Sequence, residues 1–165
     1  MNFLAHAWLA GESPALVVGG VFGDWVKGPL PGTLPADLAR GVALHRAIDA
    51  FAETHPAFRA SRARVSVARR RYAGVLVDIF WDHLLARDWG DYGPGALENY
   101  TAQLYASLDD FSEFLPEKGR DVAVRMRAHD WLSSYRYVDA VDEAIDRMAV
   151  YRLRRELGVR LGELQ

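Results

Sequence analysis

The segment that most restricts the fold of this chain is RYAGVLVDIFWDHLLARDW, residues 71–89. Its apolar side chains would occupy nearly every side of a helix, yet Asp78, Asp82 and His83 lie in its middle. Asp78 and Asp82 are one helical turn apart on the same face, with His83 about 100° further round. A carboxylate that enters a protein interior loses hydration free energy, which a neighbouring positive charge must offset. The segment therefore predicts a buried helix that packs beside a cation.

Helical spacing also dominates the rest of the sequence. No stretch shows the sustained apolar–polar alternation that is typical of strands. Apolar residues recur three and four positions apart in a short helix at 3–10 and over residues 35–53, 57–88, 96–114, 119–134 and 138–157. Residues 57–88 form either one long helix or two joined near residues 64–66, and loops are expected at 27–35 and 90–95. We therefore predict an all-α fold, a single-domain helical bundle that spans residues 1–165.

Composition removes several classes of function. The chain has no cysteine, which excludes disulfides, thiolate zinc sites and cysteine nucleophiles. Its net charge of -2 and pI near 6.2 lack the basic excess of a general nucleic-acid binder. No apolar run reaches the ~18 residues of a membrane span, and the first residues lack the basic region of a secretory signal. We expect a cytoplasmic protein that binds neither membranes nor nucleic acid.

A second pairing of histidine and aspartate occurs in LHRAID, where His45 and Asp49 stand one helical turn apart. His6 in NFLAHAWLA and Asp24 in VFGDWVKG are two further polar residues in apolar surroundings. Any one of these could be a helix cap or a core hydrogen-bonding group, and the acids of residues 71–89 could pair with arginines. Taken together, seven residues predict a site for a divalent metal ion: His6, Asp24, His45, Asp49, Asp78, Asp82 and His83.

Imidazoles and carboxylates without a thiolate suit Mn, Fe, Zn or Mg rather than copper, and the excess of carboxylates favours Mn or Mg. One ion accepts at most about six ligands, so some of the seven residues are expected to orient the others. The ligands we favour are Asp24, His45, Asp82 and His83, with Asp78 and His6 next. Asp49 would orient His45 or act as a general base.

A basic stretch, FRASRARVSVARRR at residues 58–71, contains six arginines and no acid. Such a face would steer an acidic protein into contact and fix its orientation. A solvated helix face and a footprint for a nucleic-acid backbone are the alternatives. We refer to this surface as the arginine face: Arg59, Arg62, Arg64, Arg69, Arg70 and Arg71.

Four segments give the sequence a family resemblance: MNFLAH at the start, GDWVKG at 23–28, LHRAID at 44–49, and residues 69–89. With them the chain resembles the acyl carrier protein phosphodiesterase family over roughly its first ninety residues, with a weaker match in WLSSYR at 131–136. The resemblance implies a helical protein related to the His-Asp metal phosphohydrolases. It also implies a divalent ion, typically Mn²⁺ with Mg²⁺ or Fe²⁺ as alternatives. The implied reaction is hydrolysis of the phosphodiester that joins 4′-phosphopantetheine to a serine of holo acyl carrier protein.

The resemblance maps the family's acidic and histidine motif residues onto the same seven positions, with Asp24, Asp49 and Asp78 as the catalytic carboxylates. Substrate contacts are expected from Lys27, Arg46, Arg69, Arg70 and Arg71. Relatives continue through a further helix after the WLSSYR region, whereas this sequence ends at Gln165, and Asp88 stands where a histidine is expected. Two other functions therefore stay open: a phosphohydrolase for a nucleotide or other small phosphoester, and a non-catalytic helical module that binds an acidic partner.

Overall fold

The computed structural model of the 165-residue chain describes residues 3–146. These residues contain no strand, which confirms the all-α prediction for this part of the chain. Residues 138–146 are also helical, and the rest of the helix predicted at 138–157 lies outside the described residues. The α-helices are α1 Phe3–Leu9, α2 Pro14–Phe22, α3 Ala36–Thr54, α4 Pro56–Arg64, α5 Ala73–Arg87, α6 Trp89–Tyr92, α7 Leu97–Asp110, α8 Glu117–Ala128 and α9 Trp131–Ser134. Short 3-10 helices occupy Gly23–Trp25, Val67–Tyr72 and Ser112–Phe114.

Two glycines allow α2 and α3 to pack with their backbones in contact. A Cβ atom on Gly19 would lie 2.3 Å from the carbonyl oxygen of Leu38, and one on Gly41 would lie 2.4 Å from that of Leu16. Any larger residue at either position would push the helices apart. The close packing matters for function because α3 carries His45 and Asp49, while the 3-10 helix that follows α2 carries Asp24.

The core lies where α1 and α2 meet α7 and α8. Leu4, Val18, Phe22, Leu108 and Met126 are each at most 1% exposed and belong to one hydrophobic cluster. Helix α5 packs against α1 from another side. No helix among residues 3–146 combines the length and the apolarity that a membrane crossing requires.

Of the two alternatives for residues 57–88, one long helix or two joined near residues 64–66, the structure shows the second. Helix α4 begins at Pro56, where the backbone N–H of Ala57 donates to Nδ1 of His55 at 3.2 Å. It ends at Arg64 because Val65 is extended, and the 3-10 helix Val67–Tyr72 then leads into α5. The six residues of the arginine face are all exposed.

The helix predicted at 119–134 is divided in two by Asp130, whose φ of 42° is left-handed and ends α8. Its carboxylate accepts a hydrogen bond from the hydroxyl of Tyr105 at 3.1 Å, and that hydroxyl accepts one from the N–H of Leu132 at 3.0 Å. Tertiary hydrogen bonds therefore hold a backbone conformation that local spacing does not indicate. His129, beside it, is exposed.

Candidate metal centre

Helix α1 is fixed at its first turn by a carboxylate from α5. The two oxygens of Asp82 accept hydrogen bonds from the backbone N–H groups of Leu4, at 3.0 Å, and Ala5, at 2.9 Å. Asp82 is fully buried, and this burial raises the pKa of its carboxyl to about 7 against the opposite effect of the two N–H groups. The next residue along α1 is His6, which is 1% exposed.

The imidazole of His45 is oriented by the end of α2. Its Nδ1 lies 2.7 Å from the carbonyl oxygen of Gly20. A carbonyl can only accept, so Nδ1 carries a proton and Nε2 points the other way. The ring also lies against Gly23, where a Cβ atom would be 2.3 Å from Cγ of His45. Glycine at 23 thus lets the 3-10 helix with Asp24 approach the ring.

Nε2 of His45 faces two carboxylates. It lies 3.4 Å from Oδ1 of Asp24 and 3.3 Å from Oδ2 of Asp49, and the atom is buried. In the neutral tautomer set by Gly20, the Nε2 lone pair would point at two anions. Such an arrangement requires a positive charge at this point, from a proton on Nε2 or from a bound cation.

Asp49 links both histidines. Its Oδ1 lies 3.1 Å from Nε2 of His6 while its Oδ2 lies near His45, and the two imidazole rings stack with their centroids 4.0 Å apart. One donor atom from each of His6, His45 and Asp49 lies within 4.8 Å of the others. Asp24 adds a carboxylate beside His45. Two imidazoles and the Asp49 carboxylate, with the Asp24 carboxylate nearby, form a set that suits a divalent ion of the Mn, Fe or Zn type.

Electrostatic coupling shifts the pKa values of His45, Asp24 and Asp49. Burial opposes a charge on His45, but the carboxylates of Asp24 and Asp49 and the Gly20 carbonyl raise its pKa to about 9. The hydrogen bond from His45 lowers the pKa of Asp24. Burial opposes ionisation of Asp49, but His45 and His6 more than offset it and hold the pKa of that carboxyl below its usual range. Both acids are therefore ionised at neutral pH.

The centre is open on its carboxylate side. The side chains of Asp24 and Asp49 are 42% and 48% exposed, whereas those of His6 and His45 are at most 4% exposed. The imidazoles form the floor of the site and the acids form its rim. A ligand from solution would meet the carboxylates first.

Three of the predicted ligands do not join this group of donor atoms. Asp82 caps α1, and His83, which is buried, donates from Nδ1 to the carbonyl oxygen of Tyr135 at 2.6 Å. Asp78 is partly buried on α5. A ligand role for these three residues stays a prediction.

The predicted substrate contacts divide into two sets. The guanidinium of Arg46 donates to the carbonyl oxygens of Val26, at 3.0 Å, and Gly28, at 3.1 Å. It therefore holds the loop that follows Asp24 against α3. Lys27 is exposed within that loop. Arg69, Arg70 and Arg71 are exposed in the 3-10 helix Val67–Tyr72.

Sequence reasoning missed the residues that make room for the site. Gly20 supplies the carbonyl that orients His45, and a Cβ atom on it would lie 3.1 Å from the carbonyl oxygen of His6. Gly23 admits the His45 ring. The signal that could have identified them is GGVFGD, in which glycines interrupt an apolar helix just before Asp24.

Comparison with known proteins identifies one family. A family model described as acyl carrier protein phosphodiesterase matches residues 1–164. The acyl carrier protein phosphodiesterase of Photorhabdus laumondii is 29% identical over 150 residues, which are 90% of this chain and 76% of that protein. Those of Escherichia coli and Salmonella dublin are 29% and 30% identical over 155 residues, 93% of this chain and 80% of each relative. No solved structure matches the chain.

Proposed function

The chain belongs to the acyl carrier protein phosphodiesterase family, and from that premise we propose that it uses a divalent ion to release 4′-phosphopantetheine from holo acyl carrier protein. The bond hydrolysed is the phosphodiester to the carrier's serine. The reaction consumes one water and yields apo carrier protein and free 4′-phosphopantetheine.

One observation carries the metal part of this proposal: Nε2 of His45 faces the carboxylates of Asp24 and Asp49 while Nδ1 is committed to Gly20. His6, His45 and Asp49 would hold the ion, with the Asp24 carboxylate beside them at the rim. Mn²⁺ is our first choice of ion, and Mg²⁺ or Fe²⁺ are the alternatives. When bound, such an ion supplies a Lewis acid that makes hydroxide available near neutral pH and withdraws charge from phosphoryl oxygens.

The two acids would have different tasks. Asp49 contacts both imidazoles and therefore fixes their relative orientation. Asp24 contacts His45 and is 42% exposed, so it can meet a water at the rim. In the reaction the water oxygen bonds to phosphorus as the bond from phosphorus to the serine oxygen breaks. The proton removed from the water by Asp24 is finally transferred to that serine oxygen.

Lys27 would bind the phosphate. It lies three residues after Asp24 in the loop that Arg46 holds by two hydrogen bonds. Because the loop is fixed to the helix of His45, an exposed ammonium at position 27 is kept near the rim of the site. A single positive charge there would stabilise a phosphoryl oxygen.

The arginine face would dock the carrier protein, for which we assume an acidic surface. Nε of Arg59 donates to the carbonyl oxygen of Glu53 at 3.3 Å, and the guanidinium of Arg62 lies 6.0 Å from the ring centroid of Phe58. Both partners are uncharged, so these two contacts leave the positive charges uncompensated. Such positive charge would raise the rate at which an acidic carrier protein associates and would fix the carrier's orientation on this face.

The test is to incubate the purified protein with holo carrier protein and Mn²⁺ and to measure the carrier's mass. We expect the carrier to lose the mass of phosphopantetheine, with no loss after chelation or with His45→Gln. If the carrier's mass is unchanged while bis(p-nitrophenyl) phosphate is hydrolysed, the substrate is a small phosphoester rather than the carrier protein. No hydrolysis of either compound with any divalent ion would contradict the proposal.

A further inference from the structure

We infer that Asp82 is a positioning residue of the metal centre: its carboxylate holds the first turn of α1, and thereby His6, without contacting the ion. The inference rests on the proposed metal centre. It differs from the expectation drawn from the sequence, in which Asp82 ranks among the ligands.

The hydrogen bonds of Asp82 are those of a helix cap. Its Oδ2 accepts from the N–H of Leu4 and its Oδ1 from the N–H of Ala5, at 3.0 and 2.9 Å. The first N–H groups of a helix have no partner within the helix, and leaving them unpaired in a core is costly. Asp82 is 0% exposed, so no solvent replaces it. Both of its oxygens are thus engaged by α1.

Helix α1 depends on this contact for its position. It has only seven residues, and His6 follows directly after the two capped amides. On its other side the carbonyl oxygen of His6 lies against Gly20, where a Cβ atom would be 3.1 Å away. The helix is therefore held between α5 and α2. This placement stacks the His6 ring on His45 at 4.0 Å and sets its Nε2 3.1 Å from Asp49.

A residue that acts through His6 should alter the affinity for the ion without altering its ligands. The close group of donor atoms comprises His6, His45 and Asp49 and does not include Asp82. Partners that orient a metal ligand typically change metal affinity by about 10–100-fold when they are replaced. A ligand, by contrast, changes the coordination of the ion when it is lost.

Titration with Co²⁺ separates the two roles because its visible absorption reports the ligand set. Asp82→Asn keeps the side chain's shape and one acceptor oxygen but places an NH₂ group against the second backbone N–H. We expect Co²⁺ to bind this variant about 10–100-fold more weakly, with band positions and intensities at saturation equal to those of the unaltered protein. Asp49→Asn, which changes a proposed ligand, should shift the bands.

Val77→Ala is the matched control for general destabilisation, since Val77 is a buried residue of the same helix. It should lower the unfolding temperature and leave Co²⁺ affinity unchanged. If Asp82→Asn does not fold, Asp82→Glu retains the carboxylate on a longer arm, and the same loss of affinity with unchanged bands is expected.

Three results would overturn the inference. Bands that shift at saturation in the Asp82 variant would make Asp82 a ligand. If Asp82→Asn binds Co²⁺ as tightly as the unaltered protein, Asp82 has no positioning role. The same conclusion follows if Val77→Ala weakens Co²⁺ binding as much as Asp82→Asn does. Each of these results leaves the metal centre standing, whereas an unaltered protein that binds no Co²⁺ would remove the centre itself and the inference with it.

Discussion

His45 donates its Nδ1 proton to the carbonyl oxygen of Gly20 across 2.7 Å. This bond decides what the other nitrogen of the ring can do, because Nε2 then faces the carboxylates of Asp24 and Asp49 at 3.4 and 3.3 Å. A proton and a metal ion compete for that position. The first two predictions follow from this competition.

Metal binding should release a proton. The neighbouring carboxylates raise the pKa of His45 to about 9 in the metal-free protein, so at pH 7.5 the ring is protonated. An ion that binds Nε2 must displace that proton, and its affinity should rise about tenfold per pH unit below pH 9. Calorimetry of Mn²⁺ binding in buffers of different ionisation enthalpy should give about one proton released at pH 7.5. Binding with no proton release would mean that Nε2 is not a ligand.

Stability of the metal-free protein should fall between pH 6.5 and 9. The pKa of His45 is raised from 6.5 to about 9 on folding, so its contribution is complete below pH 6.5 and is lost as the pH rises through 9. A contribution on the order of 3 kcal/mol would lower the unfolding temperature by about 6–12 °C over this range. His45→Gln should lack this pH-dependent contribution to the free energy of unfolding. Parallel pH profiles for the two proteins would contradict the raised pKa.

Gly23→Ala should displace His45. The added Cβ would lie 2.3 Å from Cγ of the ring, while the φ of −52° at this position is one that alanine adopts readily. Any loss of metal affinity in Gly23→Ala is therefore expected to come from overlap of the new Cβ with the His45 ring. We expect Mn²⁺ affinity to fall by about 10–100-fold, by analogy with other changes that misplace a ligand. Gly74→Ala, where a Cβ would meet nothing within 4 Å, is the control and should bind normally. Normal binding by Gly23→Ala would show that the ring position is not critical.

Charge reversal on the arginine face should weaken the encounter with the carrier protein. With Arg69→Glu and Arg70→Glu together, we expect KM for holo carrier protein to rise about tenfold or more while kcat changes little, because both residues are exposed on the 3-10 helix Val67–Tyr72. The matched control is Lys118→Glu with Arg125→Glu, which makes the same change in net charge at exposed positions of α8. Equal effects of the two double variants would remove the arginine face as a docking surface.

The sequence predicted well where spacing along one helix decides the outcome. The all-α fold and the pairing of His45 with Asp49 follow from helical periodicity, which left open whether residues 57–88 form one helix or two. Periodicity does not report which faces of different helices meet, so the sequence could not show that Asp82 caps α1.

Contacts that involve the backbone were the second feature that could not be predicted from the sequence. The close approach at Gly19 and Gly41 and the left-handed conformation of Asp130 depend on tertiary neighbours. The resemblance implied a substrate contact for Arg46, and the structure shows that its guanidinium donates to two carbonyls of the loop after Asp24. Such partners become visible only when the helices are assembled.

The most direct test of the metal centre is anomalous diffraction at the manganese edge from crystals grown with Mn²⁺. We expect one peak within bonding distance of Nε2 of His6, Nε2 of His45 and a carboxylate oxygen of Asp49. A peak bonded to Asp82 and His83 instead would contradict the proposed metal centre. So would the absence of any peak beside His45 at saturating Mn²⁺.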